Sequence, residues 1–156
     1  MTERSVTHAT FAVKRTYDAS PSRVFAAWAD SAAKARWFGN PEAGVKQYEL
    51  DFRVGGREFN RGTGPDGQPY TFEAIYQDIV PDERIVYAYD MHLEETRISV
   101  SLGTVELKPE GERTLLTYTE QGAYLDGLDT PEQRKQGTGG LLDALQAELE
   151  RETASA

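Results

Sequence analysis

Three turn signals divide the middle of the chain and constrain its fold more than any other feature. Pro65-Asp66-Gly67, Pro81-Asp82-Glu83 and Pro109-Glu110-Gly111 each join a residue of fixed φ to small or acidic residues that favour tight reversals. Around them lie stretches rich in β-branched and aromatic residues: about 45–54, a Gly55-Gly56 break, 57–61, 70–79, 85–91, 96–107 and 114–121. An earlier stretch, 10–17, alternates Phe11 and Val13 against Thr10, Lys14 and Thr16, as a half-buried strand does. The pattern predicts an antiparallel sheet of about six or seven strands.

Helical grammar is confined to two places. After the first strand, Ser20-Pro21 supplies an N-cap and a first-turn proline, and Val24, Phe25 and Trp28 fall on one stripe. Asp30-Ser31 is expected to cap a second short helix that carries Ala32, Ala33, Ala35, Trp37 and Phe38 and stops at Gly39 and Pro41. At the other end, Thr130-Pro131-Glu132-Gln133 reads as a capping box, and Leu141, Leu142, Leu145 and Leu149 form an apolar stripe. Gly137, Gly139 and Gly140 each cost about 1 kcal/mol relative to Ala inside a helix, so they are expected to bend it or to admit another backbone. One sheet and one long apolar-faced helix must cover each other, which gives an α+β fold read as a single domain over 1–156, with its core at about 8–152. If the sheet curls more than the helix fills, a cavity remains between them.

Charge bears on partners. With Lys+Arg 17 against Asp+Glu 26, the net charge is -9, a sign that repels phosphate backbones and anionic headgroups. Nucleic acid and membrane surfaces are therefore not expected partners. The acid is uneven: 10 basic and 7 acidic residues up to Arg61 are followed by 7 basic and 19 acidic ones. This reads as a solvated exterior, with a docking face for a basic partner as the alternative. There is no cysteine, and His8 and His92 are the two histidines, with no metal-ligand spacing, so no metal is expected. No nucleophile elbow, phosphate loop or dinucleotide fingerprint occurs, so no cofactor is expected either. No apolar run approaches the ~20 residues of a membrane span, and no signal-type segment follows the first residues, which reads as cytoplasmic.

Further residues carry a resemblance over nearly the whole chain. Phe11, Arg15, Ser20-Pro21-Ser22-Arg23-Val24-Phe25-Ala26-Ala27-Trp28, Trp37-Phe38, Asp51-Phe52-Arg53-Val54-Gly55-Gly56, Pro65-Asp66-Gly67 and Tyr76 through Tyr87 resemble the START-related, or SRPBCC, superfamily. Within it they resemble the bacterial "activator of Hsp90 ATPase homologue 1-like" and polyketide cyclase-like proteins, as does Gly137 through Leu145. The resemblance implies a helix-grip fold: a curled antiparallel sheet around the C-terminal helix, with a hydrophobic pocket between. Members of the superfamily bind lipids and hormones, cyclise polyketides, protect against toxic metabolites or assist a chaperone. The eukaryotic chaperone activators carry an additional N-terminal domain, whereas here the helix-grip segment begins within about ten residues of Met1, so Hsp90 is not the expected partner. Many relatives place an aromatic residue two positions after the second glycine of the pair, where this sequence has Glu58.

Strand alternation nominates pocket walls. Tyr70, Phe72 and Tyr76 share one face, as do Tyr87, Tyr89 and Met91, and Leu116 and Tyr118 share one with Glu120. Trp28, Trp37, Tyr48, Glu58, Tyr70, Phe72, Tyr76, Tyr87, Tyr89, Tyr118, Leu142 and Leu145 are the candidate ligand contacts; ordinary core packing is the competing account of each aromatic. Glu58, Asn60 and Glu120 could turn inward, where desolvation would suit a general acid. Alternatively, Glu58 pairs at the surface with Arg53, Arg57 or Arg61, because a bulge at the glycine pair would flip the register. His92, near a strand end, is expected in solvent but would be an acid or base at a pocket mouth. Arg15 could face inward or lie paired at the surface, and Arg36 is expected on the outer face of its helix.

The preferred function is sequestration of a small hydrophobic or aromatic molecule. The alternatives are a cyclase- or hydrolase-type enzyme using Glu58, Glu120 or His92, and a chaperone-cofactor-like interaction module. A homodimer is compatible with all three.

Overall fold

The computed structural model describes residues 3–155, with side chains through Arg151. The strand β1 (Val6–Tyr17) leads into two short helices, α1 (Pro21–Ala29) and α2 (Ser31–Trp37), and a 3-10 turn at Pro41–Ala43. There follow β2 (Val45–Leu50), β3 (Arg57–Thr63), β4 (Pro69–Val80), β5 (Arg84–Leu93), β6 (Thr96–Glu110), β7 (Arg113–Leu125) and the long helix α3 (Pro131–Ser155). The seven strands form one antiparallel sheet in the order β1-β7-β6-β5-β4-β3-β2. The expected curled sheet around a C-terminal helix is what is found, an α+β helix-grip architecture.

Strands 2 to 7 are a plain meander because each turn signal reverses the chain onto its neighbour. Strand β1 instead pairs with β7, Phe11 opposite Glu120 and Tyr17 opposite Thr114. The α1–α2 segment therefore carries the chain from one sheet edge to the other. Ser20 caps α1 by accepting from the Arg23 amide, and Thr130 accepts from the Gln133 amide at the start of α3. Asp30 departs from expectation, since no side-chain hydrogen bond caps α2 and only its backbone carbonyl serves, accepting from the Lys34 amide at 2.9 Å.

Six strands run longer than the sequence stretches suggest and one is shorter. Strand β2 ends at Leu50 because residues 51–56 form a tight reversal, in which Gly55 has φ +83° and a Cβ on Gly56 would collide with the Asp51 carbonyl. Strand β5 continues through Leu93, so His92 lies within a strand. The register across the glycine pair stays clean, with Glu58 opposite Ala74 and Asn60 opposite Phe72.

The core fills the concave face of the sheet. Phe11, Val13, Val105, Leu107 and Leu116 pack with Leu145 and Leu149 under the C-terminal half of α3. Buried Tyr17 donates its hydroxyl to the Leu142 carbonyl at 2.8 Å, pinning β1 to the helix. The helix runs unbroken through its glycines, and no other backbone comes within 4 Å of where a Cβ on Gly137 or Gly140 would stand; Gly139 meets only the tip of Arg15. The expected close backbone approach is therefore absent. Among the described residues no helix is long and apolar enough to cross a membrane.

Candidate functional site

Under the N-terminal half of α3 the core is hollow. A cavity of about 540 Å³ lies between that half-helix, α2, the 64–68 turn and the concave face of β3 to β7. Eight aromatic side chains line it: Trp28, Trp37, Phe38, Tyr70, Phe72, Tyr87, Tyr89 and Tyr118. Met91, Leu93, Leu141 and Leu142 add aliphatic wall, and the exposed side chains of Asp66, Gln68 and Gln133 mark where it opens. Gly137 also borders the cavity, with nothing within 4 Å of a Cβ added there. The glycine therefore leaves room where a larger residue would fill the space.

Two buried ionic clusters flank the cavity. At one end Lys34, which lies on the same helical face as Trp37, one turn before it, reaches inward from α2 and donates to Glu58 Oε1 at 2.9 Å and to the Tyr76 hydroxyl at 3.2 Å. Glu58 also accepts from Tyr76 at 2.7 Å and, through its other oxygen, from Tyr48. Both members of the ion pair are closed to solvent, with side-chain exposures of 2% and 0%. The ammonium sits 4.9 Å from the Trp28 ring centroid and 4.8 Å from that of Phe38. Burial pulls the Lys34 pKa below its ordinary value, with Glu58 acting in the opposite direction.

At the other end Glu120 is the hub. Its Oε1 accepts from the hydroxyls of Tyr89 at 2.6 Å and Tyr118 at 2.7 Å, and its Oε2 accepts from Tyr124 at 3.2 Å and Arg134 at 3.5 Å. Arg134, on the first turn of α3, also donates to the Tyr89 hydroxyl, Ser99 and Asp129 at 2.9, 2.8 and 2.7 Å. Tyr87 donates to the Tyr118 hydroxyl at 3.1 Å. Burial raises the pKa of Tyr87, Tyr89 and Tyr118, so these phenols stay protonated. Trp37 donates to the Ala27 carbonyl, but the indole N–H of Trp28 is buried without an acceptor among the described residues.

The structure sorts the sequence candidates into three groups. Trp28, Trp37, Tyr70, Phe72, Tyr87, Tyr89, Tyr118 and Leu142 border the cavity. Tyr48, Glu58 and Tyr76, on β2, β3 and β4, do not; they form the hydrogen-bonded layer on the far side of Lys34. Leu145 is likewise off the wall, one turn further along α3 in the filled half of the core.

Of the acid-base candidates, Glu58 faces inward rather than toward Arg53, Arg57 or Arg61, and Glu120 is fully buried, but neither borders the cavity. His92 is half-buried and also off the wall, since alternation in β5 gives that face to Met91 and Leu93. Asn60 does border the cavity, accepting from Tyr70 at 2.9 Å and donating to the Phe38 carbonyl. Arg15 is one-third exposed and paired with Asp143, and Arg36 folds back onto buried Glu148 at 2.8 Å.

Sequence reasoning missed Lys34, Phe38 and Arg134. The signal for Arg134 was present, because stepping the leucine stripe back from Leu145 and Leu141 through Thr138 lands on it. Among the described residues no group of three or more His, Asp or Glu side chains is placed to hold a metal ion.

Comparison with known proteins agrees with this fold. Residues 18–150 match the family model described as "Activator of Hsp90 ATPase homolog 1-like protein". An uncharacterised protein from Rhizobium leguminosarum superposes with a TM-score of 0.91 at 46% identity, covering 96% of this chain and 99% of that one. The Mll3558 protein from Rhizobium loti gives 0.86 at 49% identity, covering 92% and 99%. CalU16 from Micromonospora echinospora shares the fold, with a TM-score of 0.67 at 19% identity over 98% of this chain and 88% of that one. No curated protein matches the sequence.

Proposed function

We propose that this chain, which belongs to the activator of Hsp90 ATPase homolog 1-like family of the SRPBCC superfamily, binds a small hydrophobic, aromatic molecule between its sheet and α3. The observation that carries the reading is the hollow half of the core: about 540 Å³ walled by eight aromatic rings. Ligand sites fall in the range of about 300–1,000 Å³ and are mostly apolar with a few placed polar groups. A void of that size in a close-packed interior forfeits dispersion contacts that an occupant would restore. The unpaired Trp28 indole N–H points the same way, since a buried donor left unmade costs about 1–3 kcal/mol and an acceptor on an occupant would relieve it.

Binding is favoured over turnover by the state of the carboxylates. Glu120 already takes four hydrogen bonds and Glu58 three, so neither presents a free oxygen pair to a molecule in the cavity. A general base must come within hydrogen-bond reach of the proton it removes. The test is thermal unfolding against a panel of apolar aromatic, aliphatic and strongly polar small molecules. A cavity ligand at about 100 times its dissociation constant should add about 2.7 kcal/mol of stability. Aromatic members should raise Tm and strongly polar ones should not; a panel with no aromatic stabiliser contradicts the reading.

A further inference from the structure

The hydrogen-bond directions around Glu120 limit what the cavity can accept. A carboxylate only accepts, so the Tyr118 and Tyr89 hydroxyls must spend their protons on Glu120. Tyr118 then has only lone pairs to offer Tyr87, and the 3.1 Å contact between them must run from Tyr87 to Tyr118. That leaves the Tyr87 oxygen with its proton committed and, among the described residues, no donor pointing at it, on a residue that borders the cavity. Hydrogen bonds in a chain polarise one another, and this chain ends on an anion, so the Tyr87 oxygen is a strengthened acceptor.

The backbone is arranged to allow this chain. Tyr87, Gly103 and Glu120 are cross-strand neighbours on β5, β6 and β7. A Cβ on Gly103 would stand 2.8 Å from the Tyr118 hydroxyl and 2.8 Å from Cζ of Tyr87. Glycine inside a strand weakens it, and here it gives the two hydroxyls the space in which they meet.

Charge gives a second limit. Lys34 is matched by Glu58, and Arg134 by Glu120 and Asp129, so a charged group entering the cavity would find no free counter-ion among these five. We propose, building on the binding function above, that the cavity selects uncharged aromatic molecules bearing a hydroxyl, and that this hydroxyl donates its proton in a hydrogen bond to Tyr87. Tyr87 is then the specificity-determining residue. Tyr70 also keeps an open acceptor pair, but its hydroxyl is less deeply buried and its chain ends on the neutral amide of Asn60.

The test compares naphthalene, 2-naphthol and 2-naphthoate as probes, titrated into the whole protein and followed by backbone amide NMR shifts. The wild type should bind 2-naphthol about five- to tenfold tighter than naphthalene, and 2-naphthoate no tighter than naphthalene. Tyr87→Phe removes no partner of Glu120, so it should keep naphthalene affinity within about twofold and abolish the advantage of 2-naphthol. The unchanged naphthalene affinity is the control for an intact cavity. Equal binding of naphthalene and 2-naphthol, a Tyr87→Phe variant that retains the advantage, or preferential capture of 2-naphthoate overturns the selectivity while leaving cavity binding in place. Failure of all three probes to bind overturns both.

Discussion

Lys34 and Glu58, 24 residues apart in sequence, form an ion pair of 2.9 Å that is sealed from water and joins α2 to β3 at one end of the cavity. Breaking such a pair from one side leaves an uncompensated buried charge, typically at a cost of about 3–5 kcal/mol. Lys34→Met should therefore destabilise the protein by about that amount in urea unfolding. Adding Glu58→Gln removes the orphaned charge but keeps an acceptor for Tyr76 and Tyr48, and should recover more than half of the loss. Equal stability of the single and double variants would show that the pair is not buried as described.

All eight tyrosines have hydroxyls whose pKa lies above the ordinary value near 10, chiefly through burial. In the unfolded chain they ionise near 10, so above that pH the native state holds more protons than the unfolded one. The tyrosine contribution to stability is thus complete below pH 10 and is lost as pH rises, by about 1.4 kcal/mol per pH unit for each tyrosine kept protonated. Absorbance at 295 nm should show the phenols ionising together with loss of the fold. Several tyrosines titrating near 10 in a folded protein would contradict the burial.

Gly137 and Gly140 separate helix propensity from cavity space. Gly140 is exposed, with nothing near a Cβ, so Gly140→Ala should stabilise by about 1 kcal/mol and leave ligand binding unchanged. Gly137→Leu gains similar helix propensity but projects into the cavity, so thermal unfolding should rise while affinity for 2-naphthol falls at least tenfold.

Gly103→Ala places a methyl group among the hydroxyls above β6. Overpacking of this kind costs about 1–3 kcal/mol. The expected result is a lower urea midpoint with an unchanged m-value, together with loss of the 2-naphthol advantage. An Ala at this position that changes neither would remove the reason given for the glycine.

The sheet and α3 were legible because proline- and glycine-containing turns and the leucine stripe are local signals. Ser20 and Thr130 worked as caps for the same reason, and Asp30 failed because its carbonyl alone closes the first turn of α2. The inward direction of Glu58 stayed open in the sequence, since a single bulge at Gly55-Gly56 would have reversed it. Its partner was less visible still: a lysine on a short helix is ordinarily solvated, and only the fold brings α2 against β3. The line between the cavity wall and the layer behind it, which divides Tyr70 from Tyr76, depends on how far the sheet curls. Strand alternation gives both residues the same face and cannot separate them.

The most direct test of ligand binding between sheet and α3 uses the protein's two tryptophans, both of which border the cavity. Their indole N–H groups give two cross-peaks in a 15N-labelled sample, one from Trp28, which has no acceptor, and one from Trp37, bonded to the Ala27 carbonyl. On titration with 2-naphthol both peaks should move along saturable curves with a single dissociation constant, the Trp28 peak by the larger shift. Static indole peaks alongside shifts on the outer face of the sheet, at Val100 and Leu102, would place binding elsewhere and contradict the account.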